Sequence, residues 1–293
     1  MVSVIQILIN SLTTVSILAL FTLGITLTFK TAGVANFAQA NVATVGAFLA
    51  AYLLTRMGVN MWLSMAAGIA FCFILGWAAD FFIVNRMKSG PMGRIMVTLG
   101  LILVVDAFIP MIFGMIPYTY PRYFPGNFSF SVFGAEFTMA NNSLFIVIMA
   151  TVVITATFLA LHKTKWGLKM RATASNPVVS AMMGVNTKRL TALSWGVSSA
   201  VAALAAILLG SQHFNVSSAM MGSTGTLALL ALVIGGITSF HGPIIGAILI
   251  PIILSLVAMI SGLWANVMMY SVVLLIILIR PHGLFGKKTM EKI

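Results

Sequence analysis

Runs of about twenty apolar residues with almost no charge recur along this chain, and as helices they match a hydrocarbon core about 30 Å thick. They are Val4–Phe29, Ala32–Thr55, Met61–Val84, Ile95–Ile116 and Ser143–Leu161, then Leu190–Gly210, Gly225–Phe240, Ile244–Ser261 and Trp264–Ile279. In lipid the backbone finds no water to bond, so each run is read as a helix that satisfies itself. Composition excludes the alternatives. Of 293 residues 60% are hydrophobic and 7% charged, whereas a soluble domain carries about a quarter charged residues. A soluble enzyme and a disordered tail are both ruled out. The expected fold is an all-α polytopic membrane protein with about 8–10 transmembrane helices, nine by this count. The second and seventh runs are short or interrupted. The chain reads as one transmembrane domain, 1–293, with halves 1–161 and 190–293 joined by the loop 162–189. Its start, MVSVIQILINS, lacks a basic n-region and reads as a retained span. The single Cys72 permits no intramolecular disulfide.

The net charge of +12 belongs to the loops. Lys30, the stretch Arg86–Arg94, the stretch His162–Arg189 and the tail after Ile279 hold fourteen of the sixteen bases; Arg56 and Arg122 hold the rest. With nine spans the fourteen share one face, which the positive-inside rule makes cytoplasmic. The N-terminus is then outside, the C-terminus inside, and Pro117–Asn142 is the largest external loop. The charge predicts no nucleic-acid partner; membrane lipid is the neighbour.

Two runs contain polar breaks. Gly33–Ala47 reads GVANFAQANVATVGA, and Gly222–Gly236 reads GSTGTLALLALVIGG after a polar Ser211–Ser218. Each follows a long clean span, and those spans run in opposite directions. Paired interrupted segments in halves of opposite orientation are the sequence pattern of an inverted repeat with interrupted helices. The plainer reading is that small residues simply let helices pack closely. Irregular backbone at membrane depth is tolerated where it lines a cavity. Asn36, Gln39 and Asn41 are therefore the leading pathway candidates, with Ser223 and Thr224 on the other repeat. Interhelical hydrogen bonding without substrate contact is the alternative for each.

Of the four acids, Asp106 alone lies near mid-span. It reads either as a functional charge or as a carboxyl neutralised within the bundle. Asp80, near the cytoplasmic end, is expected to partner Arg86 or Lys88. One intramembrane acid is too few for the usual proton relay. His162, His213, His241 and His282 lie on separate loops or span ends, with no HExxH and no cysteine cluster, so no metal site and no catalytic residue are expected. No GxxxxGK[ST] motif occurs, so the chain is not expected to hydrolyse nucleotide itself.

The loop 162–189 carries one further signal. Ser175–Asn176 followed by Pro177 starts a helix and Gly184 stops it, which predicts a short helix over Pro177–Met183. Val178, Val179, Met182 and Met183 give it an apolar surface where water is expected. That surface reads as a docking patch or as a helix lying on the bilayer interface.

The run GLKMRATASNPVVSAMMGVNTKRL resembles branched-chain amino acid ABC transporter permeases of the LivH type, with Gly167, Arg171, Ala172, Ala174, Asn176, Ala181, Gly184, Val185 and Asn186 matching the family pattern. ANFAQANVATVGAF, LVIGGITSFHGPIIGAIL and RPHGLFG resemble three further family segments, in order. The resemblance implies a permease subunit of an importer for branched-chain amino acids, in which the short helix couples to an ATPase through Arg171, Ala172, Asn176, Pro177, Val179, Ala181, Met182 and Gly184. It also implies a second, LivM-like permease, two ATPase subunits that use the ATP, and an extracytoplasmic substrate-binding protein. No cofactor is expected in this chain, and its place is a bacterial or archaeal cytoplasmic (inner) membrane. The chain departs from the family at Gln39-Ala40-Asn41, where His-Gly-Glu is common, and at Leu227–Leu230, where a lysine often stands. The family also includes permeases for urea and short amides. The rival reading is a stand-alone ion-coupled secondary transporter for small polar solutes.

Overall fold

The computed structural model describes residues 2–87, 90–132, 135–237, 239–281 and 283–286. Lys88, His282, Lys287, Lys288, Glu291 and Lys292 lie outside them. The protein is an all-α polytopic membrane protein with, among the described residues, one small β-hairpin. The first half contains α1 (Val2–Ala32), α2 (Gln39–Met57), α3 (Met61–Ala78), α4 (Pro91–Phe113) and α5 (Asn141–Lys163). The loop contributes α6 (Lys165–Ser175) and α7 (Pro177–Met182), and the second half α8 (Thr187–His213), α9 (Gly222–Gly235), α10 (Gly242–Ile260) and α11 (Ala265–Ile279).

Seven of these helices are long and apolar enough to cross a membrane. The expected nine resolve into those seven plus α9 and α11, of 14 and 15 residues. At 1.5 Å per residue these two reach only about 22 Å. The expected second span is also redrawn: α1 runs on to Ala32, and α2 begins only at Gln39.

Side-chain size decides which helix is central. The membrane window of α8 is 78% buried, that of α4 only 11%. The run SWGVSSAVAALAA on α8 presents small residues, against which α1, α2 and α3 pack closely. Van der Waals contact at short range is what holds helices together in lipid, where tails are as apolar as leucine. The α4 helix offers Met96, Leu99, Leu103, Phe108 and Met111 instead, all exposed at its periphery.

Two elements were not legible beforehand. The connection between α4 and α5 folds as an antiparallel hairpin, β1 (Asn127–Val132) with β2 (Ala135–Ala140), in the register Asn127↔Ala140. The Gln6 side chain of α1 covers the edge of β2: its amide N–H donates to the Thr138 carbonyl (2.7 Å), and its oxygen accepts from the Thr138 N–H (3.2 Å). Ahead of the hairpin, Tyr120 and Tyr123 share a 2.8 Å hydroxyl contact, and burial pushes both phenols above their usual range. The second unexpected element is α6, whose first turn is capped by the Thr164 hydroxyl accepting from the Gly167 N–H (3.1 Å).

The tail RPHGLFG closes the other end of α9. The Leu284 N–H donates to the Ile234 carbonyl (2.7 Å) and the Phe285 N–H to the Gly235 carbonyl (3.1 Å), satisfying carbonyls that a helix end leaves open. Gly283 makes this possible. Its φ is +76°, and a Cβ there would lie 2.5 Å from the Gly236 backbone.

Candidate functional site: a cavity between two broken helices

Both α2 and α9 begin inside the bundle. Gln39, the first residue of α2, donates from its amide to the Ser198 carbonyl (3.1 Å) and hydroxyl (2.6 Å) on α8. Ser198 is eleven residues into α8, about 16 Å along the helix at 1.5 Å per residue. The same hydroxyl donates to the Gly24 carbonyl of α1 (2.6 Å). The chain therefore leaves α1, turns at Gly33 (φ +70°) and re-enters to start α2 at depth. On the other side, α9 starts next to α2: a Cβ on Gly225 would stand 3.0 Å from the Ala40 Cβ. Only glycine lets these two helix starts come so close.

A cavity of about 320 Å³ opens where they meet, lined by Ala40, Asn41, Thr44, Asp106, Pro110, Ser218, Ala219 and Gly222. Neither helix start is capped by the side chain of its flanking residue, Ala38 or Met221. Free N–H groups and the helix dipole give such ends a partial positive charge, about half an elementary charge each. The Asp106 carboxylate of α4 faces the same space and accepts a hydrogen bond from the Asn41 amide. One cavity thus holds a carboxylate, an amide and two positive helix ends between walls of alanine and proline.

Two further cavities continue toward the connection between α4 and α5. The next, about 280 Å³, shares Pro110 and Ser218 with the first and adds Phe48 and Ile109. The third, about 430 Å³, shares Gly114, Met115 and Pro117 with the second and ends at Arg56 and Thr119. Stacked Phe48 and Phe113 (5.6 Å between centroids) flank the series. The three share walls in sequence from the α2–α9 junction to the C-terminal ends of α2 and α4.

The pathway candidates separate into groups. Asn41 and Asp106 line the cavity. Asn36 and Gln39, 3% and 1% exposed, are turned into the protein: the Asn36 amide donates to Gln39 (3.4 Å) while its oxygen accepts from the Ala38 N–H (3.1 Å). The α2 helix is continuous from Gln39, so two residues further on Asn41 faces elsewhere. Ser223 is exposed and Thr224 half-buried, one and two residues past the lining Gly222. Sequence reasoning missed Thr44, Pro110, Ser218 and Ala219. Pro110 inside an apolar run and the serine pair Ser217–Ser218 were the available signals.

Asp80 does not meet Arg86. It is 1% exposed within a π-helical turn (Ala79–Ile83), where it accepts from the Asn85 amide; the Arg86 guanidinium stands over Phe82 instead, 5.8 Å from the ring. The π turn and the following 3-10 turn carry the chain away from helical register, so Arg86 emerges on another side. His162 and His241, from separate connections, come within 6.0 Å between ring centroids.

The short helix α7 spans Pro177–Met182, one residue less than expected, with Gly184 at φ +82° just beyond. The Asn176 oxygen accepts from the Val178 and Val179 N–H groups (3.0 and 3.1 Å). Val178, Val179, Met182 and Met183 are all exposed, the two methionines at 81%. Ala172, Pro177 and Ala181 are exposed with them, and Arg171 is half-buried on α6.

A family model described as branched-chain amino acid transport system, permease component, matches residues 7–279. The chain belongs to that family. The high-affinity branched-chain amino acid transport system permease protein BraD of Pseudomonas aeruginosa is 28% identical over 305 residues, covering 98% of this chain and 97% of that protein. The probable branched-chain amino acid transport permease protein LivH of Methanocaldococcus jannaschii is 28% identical over 289 residues, 92% of this permease and 89% of that one. The fructose import permease protein FruF of Bifidobacterium longum is 25% identical over 237 residues, 78% of this chain and 64% of that protein. No solved structure matches the permease at a significant level. The cavity, its helix starts and α7 all fall within the matched residues.

Proposed function

We propose that this permease carries branched-chain amino acids through the cavity at the α2–α9 junction as part of an ATP-driven importer. One observation carries the substrate class: a carboxylate and two uncapped helix N-termini share one cavity of about 320 Å³. A zwitterion fits that charge pattern, its ammonium toward Asp106 and its carboxylate toward the starts of α2 and α9. Ala40, Ala219 and Pro110 leave apolar room for a branched side chain. A neutral sugar offers neither charge an ionic partner. The names of BraD and LivH support the amino-acid reading, and FruF marks how far substrates diverge among similar permeases.

Asp106 is more than a third exposed on a membrane-embedded helix. A charge facing lipid there would be costly, which supports a second, LivM-like permease closing the open side. The exposed apolar α7 suits a groove on one of two ATPase subunits, which bind and hydrolyse the ATP; this chain itself needs no cofactor. An extracytoplasmic binding protein would deliver substrate to the outer cavity near Arg56. The clustering of bases around α6 and α7 supports an external N-terminus and a cytoplasmic C-terminus in the inner membrane. In this scheme Asn36 and Gln39 hold the start of α2, Asn41 and Asp106 touch substrate, and Ser223 and Thr224 offer backbone N–H groups.

Uptake of labelled leucine, valine, urea and fructose in cells with and without the gene tests the proposal. Leucine and valine uptake should depend on the gene. Asp106→Asn should lower it about tenfold or more, a single charge-assisted contact contributing about 1.5–3 kcal/mol. Val179→Asp with Met182→Asp should abolish uptake of every substrate while the protein stays in the membrane. Gene-dependent fructose or urea uptake that Asp106→Asn leaves intact would overturn the substrate assignment. Full uptake by the double aspartate variant would overturn the ATPase contact.

A further inference from the structure

A second, larger cavity lies away from the pathway, on the outer flank of the bundle. It measures about 490 Å³ and is bounded by Phe73 of α3, Val153, Ala156 and Ala160 of α5, Trp166 of α6 and Leu193 of α8. Its size is in the range of small-molecule sites, about 300–1,000 Å³. The crevice has a physical origin. Gly196 on α8 lets the Phe73 ring press in, a Cβ there lying 3.0 Å from the ring edge, so α3 and α8 close up. Small Ala156 and Ala160 leave α5 standing off from that pair. The one hydroxyl on the wall, Thr157, is already satisfied by donating to the Val153 carbonyl (2.8 Å), so the wall is apolar throughout. Val152 and Leu193 at its rim are exposed, which opens it to the bilayer.

The chemistry changes at one end. Helix periodicity puts Lys163 one turn beyond Ala160 on α5, and Arg189 one turn before Leu193 on α8. Both bases are exposed, as is Lys165 beside Trp166. The half-buried Trp166 lines the crevice at this end, an amphipathic ring of the kind enriched where the bilayer core meets the headgroups. Asp80, the acid nearest this end among the described residues, is buried and already bonded to Asn85. From Val152 to Lys163 the crevice and its mouth cover about 16 Å of helix at 1.5 Å per residue, roughly one leaflet of a core about 30 Å thick.

We propose that this crevice is a binding site for an anionic phospholipid, with an acyl chain along α5 and the phosphate headgroup between Lys163 and Arg189. The inference is independent of the transported substrate and of which face is cytoplasmic.

Quenching by brominated lipid tests it on the protein as purified in mild detergent. The Trp166 signal is taken as the difference between the unaltered protein and Trp166→Phe. Phosphatidylglycerol with brominated chains should quench it saturably, and at lower mole fraction than phosphatidylcholine with the same chains. The difference should be about fivefold per cationic side chain, so about 30-fold for two. Lys163→Gln with Arg189→Gln should erase the preference. Filling the crevice with Ala156→Phe should abolish saturable quenching by both lipids; should that variant fail to fold, Ala160→Leu serves the same end. Equal quenching by the two lipids in the unaltered protein would overturn the site. So would a phosphatidylglycerol preference that survives the double glutamine variant, or quenching that never saturates, as ordinary annular lipid or a covering protein subunit would produce.

Discussion

The turn between α1 and α2 and the turn between α8 and α9 deliver two helix starts to one cavity, but they are held by different parts of the chain. In the first, side chains do the holding: Asn36 folds onto its own turn, and Gln39 reaches across to Ser198, which is itself bonded to Gly24. In the second, backbone does it. Val216 pairs with Tyr118 as an isolated bridge, N–H to carbonyl at 2.8 Å and carbonyl to N–H at 3.1 Å, and the Phe214 carbonyl accepts from Tyr120 at 3.4 Å. The first turn lies between helices, where only side chains reach it. The second lies against the connection between α4 and α5, whose Tyr118–Tyr120 backbone runs alongside. One turn therefore depends on residue identity, the other on the path of a distant segment.

The sharpest break should come where the two starts touch. Gly225→Leu wedges α9 away from Ala40, since even a Cβ at this position would stand 3.0 Å from the Ala40 Cβ; uptake should fall about tenfold or more, since overpacking costs about 1–3 kcal/mol. Gly100→Ala on α4, outside the cavity wall and with open space around it, should transport normally. Similar uptake by both variants would mean that the contact does not matter.

Next in size is Gln39→Leu. It removes two hydrogen bonds to Ser198 and leaves the Asn36 amide without its partner. Unfolding in detergent should come earlier, by a stability loss of about 1–3 kcal/mol. Asn41→Leu, in the cavity wall, should leave the unfolding midpoint nearly unchanged and lower uptake. Reversed behaviour of the two would undo the division between anchoring and lining residues.

The smallest effect belongs to the second turn, at Asn215. Val216→Pro deletes the N–H that meets the Tyr118 carbonyl and replaces a fully buried side chain, so it should cost about 1–3 kcal/mol. Asn215→Ala, an exposed neighbour, should stay within about 0.5 kcal/mol of the unaltered protein. A large loss from Asn215→Ala in thermal unfolding would show that side chains hold this turn as well.

Much of the architecture was legible because its causes are local. Long charge-free runs must become helices in lipid, and their termini came within a few residues for α5, α8 and α10. Asn176-Pro177 and Gly184 bracketed α7 to within one residue, as capping chemistry acts over one turn. The hairpin and α6 were missed for the opposite reason. The β2 edge is completed by Gln6, more than 130 residues away, and α6 is a short amphipathic piece against the bundle, in a stretch read for its charge and family pattern and not for helix periodicity.

The sequence alone determined that this is a membrane protein of many helices, that two of them are interrupted by polar residues, and that an apolar helix interrupts a basic loop. Each follows from composition or from spacing within a turn or two. Only the tertiary structure decided which polar residues face the cavity. Asn36, Gln39 and Asn41 look alike as letters in one short segment. Whether an amide meets Ser198, its own turn or the Asp106 carboxylate depends on where α4 and α8 stand. That position follows from close packing of small residues across the bundle, a property of pairs of helices far apart in the chain.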